Sequence, residues 1–184
     1  MNNAAAAPTL GEPAPFFEAR AGEALISLQD FRGKWVIIFS HPGDVLPLFR
    51  TRTINYILCK RKTKVVAFGN GESDETGRSF LKKYVLKHSL MVLDDPGEEI
   101  MARYGLTEHA SGGKMKGVFI VDPYGILRVK LFSPLRAETN FYEILKLRDA
   151  LQEADDQKAK NHSAKTWRGR LRITMLPKPA FRQE

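Results

Sequence analysis

Trp35-Val-Ile-Ile-Phe-Ser40 and the loop it feeds, His41-Pro-Gly-Asp-Val-Leu-Pro-Leu-Phe49, decide the fold. The first run is short, continuous and apolar, as suits a strand buried on both faces of a sheet. Working outward, Lys64-Val-Val-Ala-Phe68 reads as a second such strand and ends at Gly69-Asn-Gly71, a strong turn signal. Gly117-Val-Phe-Ile-Val-Asp122 reads as another. Pro123-Tyr-Gly125 then turns the chain into Ile126–Phe132, where Leu127, Val129 and Leu131 alternate with Arg128 and Lys130. That alternation predicts a half-exposed antiparallel partner.

Helical stretches separate the strands. Arg50 to Lys60 places Ile54, Ile57 and Leu58 on one face, with Cys59 at its edge beside Tyr56. Asp74 to Lys87 opens with carboxylates and closes on cations, with Phe80, Leu81, Tyr84 and Val85 at one-turn spacing. Asp95-Pro96 starts a short helix that stops at Gly105, with proline in the first turn and glycine beyond the end. Thr139 to Leu151 aligns Phe141, Ile144, Leu145 and Leu151. The periodicity fades after Asp155, and Trp167 to Pro179 reads as an extended arm. The order is strand, helix, strand, helix, strand, helix, hairpin, helix, arm. This is an α/β chain with crossover helices on both faces of one sheet.

A length of 184 residues suits one domain with an arm or tail. The expected organisation is a flexible 1–9, a domain over 10–154 and a basic C-terminal dimerisation arm over 155–184. No apolar run reaches the ~18 residues of a membrane span, and the start MNNAAAAPTL lacks the basic and apolar regions of a signal peptide. A cytoplasmic protein is expected. One cysteine, Cys59, excludes an internal disulfide and a cysteine-based metal cluster. The four histidines, His41, His88, His109 and His162, stand in no ligand spacing, so no metal is expected. Gly112-Gly113-Lys114 lacks the first glycine and the hydroxyl residue of a phosphate loop, and no cofactor is expected. Asp94 and Asp95 read as a helix cap rather than an acid pair.

The net charge is +8, and the excess is clustered. Arg50 to Lys64 holds six Lys or Arg and no carboxylate, and Gln157 to Glu184 holds eight basic residues against Glu184. Such clusters can bind nucleic acid or another polyanion through its phosphates. The plainer reading is a solvated face and a soluble tail, because no aromatic-and-basic nucleic-acid motif accompanies the charge. Arg50 and Arg52 form a candidate anion site, since two arginines in a helix's first turn oppose the helix dipole unless an anion sits nearby.

Several segments together resemble the peroxiredoxin (AhpC/TSA) family. They are Gly11-Glu-Pro-Ala-Pro-Phe16, Leu28 to Val36, Phe39-Ser-His-Pro-Gly-Asp44, Asp94-Asp-Pro96 with Tyr104-Gly105, Gly117 to Pro123 with Gly125 to Arg128, and Asn140 to Gln152. The match runs from about Leu10 to Gln152 and continues faintly to Trp167. The resemblance implies a thioredoxin-like mixed sheet flanked by helices, with a C-terminal extended arm and a homodimer built partly by Trp167, an aromatic anchor suited to an interface.

The same resemblance locates the family's chemistry and finds it altered. After His41-Pro42 the family carries a threonine, a proline and a peroxidatic cysteine, whose thiolate attacks peroxide. These fall on Leu46, Pro47 and Phe49, so only the proline is kept. The family's two active-site arginines fall on Lys116 and Thr139, and its resolving cysteine on Ser163. A phenyl ring cannot attack a peroxide. The function expected is that of a peroxiredoxin-like protein without the peroxidatic cysteine, acting by binding, assembly or regulation with an unknown protein partner. The alternatives are a thiol oxidoreductase acting through Cys59 or a repurposed pocket enzyme, and polyanion binding. Cys59 itself reads first as a small, buried core residue.

Overall fold

The computed structural model describes residues 8–48, 52–69, 89–106 and 115–174, with side chains described for all of these but Arg52 and residues 162–174. Two compact units divide the chain, Met1–Thr139 and Asn140–Glu184.

The first unit is built on a five-stranded sheet. Its strands are β3 (Trp35–Phe39), β4 (Thr63–Gly69), β5 (Leu90–Asp94), β6 (Met115–Val121) and β7 (Leu127–Pro134). They lie in the order β5-β4-β3-β6-β7. β3, β4 and β5 are parallel, whereas β6 runs antiparallel to β3, and β7 to β6. This is the mixed sheet expected. All five residues of β3 are buried, which its uninterrupted apolar run requires at the centre of a sheet. β5 fills the strand place between the second and third predicted helices. A hairpin precedes the sheet, β1 (Glu18–Ala21) with β2 (Ala24–Ser27). Its turn uses Gly22 at φ 66°, the left-handed region that a glycine enters at little cost.

One sheet face is Val36 and Ile38, Val66 and Phe68, Leu93, Phe119, Val121 and Leu127, packed with Phe17 and Phe31. Phe17 meets Phe68 edge-on at 5.1 Å. α2 (Glu99–Arg103) adds Ile100 and Met101 to this cluster, and Tyr104 follows at its end. α1 (Arg52–Lys60) flanks the sheet beside β4 and buries Ile54 and Leu58. The predicted helix over Asp74 to Lys87, and Gly112 to Lys114, lie outside the described residues.

The short helix after Asp95 begins later than expected. Pro96 and Gly97 form a turn, and the Asp95 carboxylate accepts from the backbone N–H groups of Ile100 and Met101 at 3.1–3.2 Å. Asp95 therefore serves as the expected cap, across a turn rather than at the first helical residue.

The second unit corrects the extended arm. α3 runs without a break over Phe141–Thr174, through the boundary expected at 155 and past Trp167. The apolar stripe does fade after Leu151. Yet residues 152–174 remain rich in Gln, Glu, Ala, Lys and Arg, which are strong helix formers in their own right. Pairs four residues apart add to this, with Gln152 Nε2 donating to Asp156 Oδ1 at 2.9 Å. Propensity carries the helix where amphipathicity does not. Residues 175–184 lie outside the described residues.

Candidate functional site

The loop with the family resemblance leaves β3 at the C-terminal edge of the parallel strands. It is wound into successive tight turns. Val45 N–H and Leu46 N–H both donate to Pro42 O, at 3.1 and 3.0 Å, and Leu48 N–H donates to Val45 O at 3.0 Å. His41 Nδ1 accepts from Gly43 N–H at 3.2 Å, so this histidine caps the loop's first turn. Among the described residues no cluster of three metal-ligating side chains forms.

Two close approaches fix the loop against the sheet. Pro42 lies beside Gly69 at the end of β4, where an added Cβ would come within 3.3 Å of the proline ring. On the other side Ser40 N–H donates to Gly117 O at 3.0 Å, while Gly117 N–H donates to Ser40 Oγ at 2.8 Å. Gly117 has no room for a side chain. A Cβ there would sit 2.8 Å from the Phe119 ring.

These constraints set Lys116, the first residue before Gly117, over the loop. Its ammonium is 4% exposed and donates to Asp44 Oδ1 at 2.5 Å, and the Asp44 side chain is 13% exposed. Removing either charge from a buried pair leaves the other uncompensated, so the two hold each other in place. The cation at the family arginine's position is thus engaged by a carboxylate of the loop itself. Nothing in the sequence pairs these residues, which stand 72 positions apart.

The other predicted positions divide. Pro42, Leu46 and Pro47 share the loop. Val45 is the loop's fully buried residue, whereas Leu46 is half-buried. Phe49 and Arg50 lie outside the described residues, and Arg52 opens α1 with its side chain outside them too. Thr139 is half-buried just before α3, whose start is capped by Asn140 Oδ1, which accepts from Tyr142 N–H at 3.1 Å. Trp167 and Ser163 fall on the backbone of α3 with side chains outside the described residues.

Cys59 is elsewhere. It ends α1 at the opposite, N-terminal edge of the sheet, where Trp35 N–H donates to Lys62 O and Val65 N–H donates to Ser89 O. Its Sγ lies 3.4 Å from Ser89 Oγ. The six residue steps of β4 separate this edge from Pro42 by roughly 20 Å. Contrary to the core reading, the thiol is exposed, because Ile54 and Leu58 take the inward face of α1 and Cys59 turns outward.

Comparison with known proteins agrees with this architecture. A family model described as AhpC/TSA matches residues 10–130. The chain is 33% identical over 165 residues to peroxiredoxin 2 of Caldanaerobacter subterraneus subsp. tengcongensis, covering 82% of this chain and 73% of that protein. It is 31% identical over 159 residues to the peroxiredoxin of Aquifex aeolicus, covering 80% and 72%. A solved structure of the yeast mitochondrial 1-Cys peroxiredoxin superposes with a TM-score of 0.64 at 21% identity, covering 81% of this chain and 78% of that one. The fold is the peroxiredoxin variant of the thioredoxin-like architecture. The chain belongs to the AhpC/TSA family, with a single cysteine, Cys59.

Proposed function

We propose that this chain has left peroxide reduction and works by binding, as a homodimeric cytoplasmic protein of assembly or regulation whose partner is another protein. The separation of sulfur from pocket carries this reading. Phe49 stands where the family places its nucleophile, and a phenyl ring offers no lone pair to a peroxide oxygen. The one thiol is at the far edge of the sheet, roughly 20 Å away along β4. Lys116, at the arginine's position, already neutralises Asp44 and is not free to steady an incoming peroxide. The homodimer rests on the match of Trp167 to the arm of long-tailed members.

Peroxide consumption by the purified chain with thioredoxin, glutathione or dithiothreitol tests the first half. No turnover above background is expected. Turnover lost in Cys59→Ser would move the chemistry to that thiol and overturn the reading, and turnover kept in it would reveal a pocket enzyme. Sedimentation at micromolar concentration tests the second half, with a dimer expected and a monomer contradicting it.

A further inference from the structure

The N-terminal edge of the sheet gathers cations that the chain order keeps apart. Lys34 immediately precedes β3 and Lys62 immediately precedes β4, and Trp35 pairs with Thr63, so the two lysines enter neighbouring strands at the same level. Lys60 closes α1 and Arg61 follows it in the turn, and Lys64 lies on β4. Arg32 joins them from the other side, its guanidinium donating to Tyr124 O in the β6–β7 turn. Lys64 is held below the usual lysine range, first by burial and then by the charge of Lys34, with Cys59 acting in the opposite sense.

Two exposed tyrosines lie on elements that reach this edge. Tyr124, 77% exposed, stands at the β6–β7 turn beside Arg32. Tyr56, 65% exposed, lies one turn back on α1 with the Lys60 ammonium 5.5 Å from its ring centre. One carboxylate at this edge, Asp122, is buried and occupied. It accepts from Tyr124 N–H and Ile126 N–H and pairs with Arg128 at 3.0 Å. The fold thus brings exposed tyrosines and cations from separate segments to one edge of the sheet.

Lys62 adds a second detail. It holds φ at 47°, in the left-handed region, at a helix end where glycine is the usual residue. A lysine in this place brings a charge to the middle of the row at a conformational cost.

We propose that the edge formed by Arg32, Lys34, Lys60, Lys62, Tyr56 and Tyr124 binds single-stranded nucleic acid. The cations track the phosphates while the tyrosines offer platforms for bases, the combination that recognises a flexible strand without reading its sequence. An acidic protein would use the charges but would leave the two exposed rings without a role. A duplex keeps its bases stacked on each other and unavailable to them. The site is independent of the pocket loop, so it stands whether or not the chain reduces peroxide.

The test is fluorescence anisotropy of the full-length protein with a labelled single-stranded oligonucleotide, titrated at several salt concentrations. Each phosphate contact contributes about 0.7 to the slope of log affinity against log salt. Lys34→Gln with Lys62→Gly should lower that slope by about 1.4, and Lys62→Gly relieves the left-handed strain, so misfolding does not confound the result. Tyr56→Ala with Tyr124→Ala should weaken single-strand binding about tenfold or more and leave duplex binding unchanged. An equal loss from Lys158→Gln with Lys160→Gln would mean a diffuse field of the whole +8 chain and would overturn the site. Tight binding of polyglutamate, indifferent to the tyrosines, would assign the edge to an acidic protein instead. No retention of any strand at low salt would also overturn it.

Discussion

The two edges of the sheet differ in how they treat charge. At the C-terminal edge one ammonium and one carboxylate, Lys116 and Asp44, are buried together and cancel. At the N-terminal edge several cations stand in a row, and the nearby carboxylate, Asp122, is spent on Arg128 and the backbone. The first edge is where the family's chemistry belongs and where this chain has closed its charges off. The second carries the thiol of Cys59 and the row of cations. A shared fold does not by itself fix a shared activity, and on the proposed reading the sheet persists here without the family's nucleophile.

Breaking the pair at the first edge should have the largest effect. Asp44→Asn leaves the Lys116 ammonium buried without its counter-charge and should cost about 3 kcal/mol in urea unfolding. The double change Asp44→Asn with Lys116→Met should recover most of that loss. Additive losses would show that the pair is not coupled and that the contrast between the edges is overstated.

The cap on α2 belongs to the same edge and should matter less. Asp95→Ala removes the acceptor for Ile100 and Met101 N–H, and a loss of about 2 kcal/mol is expected. Asp95→Asn should retain part of the stability, because its amide oxygen still accepts. Equal losses for both would point to packing rather than capping.

The smallest effect is expected at the second edge, and it depends on pH. Lys64 is held below its usual range in the folded chain, so folding favours its neutral form. The unfolded chain binds more protons between the lowered and the ordinary value, and stability must therefore rise with pH in that alkaline window. The gain should not exceed about 0.5 kcal/mol, because the group is partly exposed and screened. It should disappear in Lys64→Met and shrink in Lys34→Gln. A pH-independent difference would remove the evidence that these charges repel.

The fold was legible because its strands announce themselves locally. Trp35–Phe39 and Val118–Val121 are uninterrupted apolar runs, and the sequence of β7 alternates from Leu127 onward. The β1–β2 hairpin was missed, although Ala21-Gly22-Glu23-Ala24 carries the glycine that such a turn needs. The end of α3 was misjudged because apolar periodicity reports burial, whereas residues 152–174 are helical by propensity. The loop residues and Lys116 were named as candidates from the resemblance alone. Their partners were not, since Lys116 finds Asp44 across 72 positions and Arg32 finds Tyr124 across 92. Such pairings belong to the sheet order, which no local pattern encodes.

The most direct test of the account mixes the protein with one equivalent of hydrogen peroxide, without reductant, and follows both the peroxide and the intact mass of the chain. A family nucleophile would consume the oxidant promptly and gain an oxygen as a sulfenic acid. With Phe49 in the loop and Cys59 at the far edge, the peroxide should be recovered and the mass unchanged over minutes. Prompt loss of peroxide with one oxygen added at Cys59 would contradict the account.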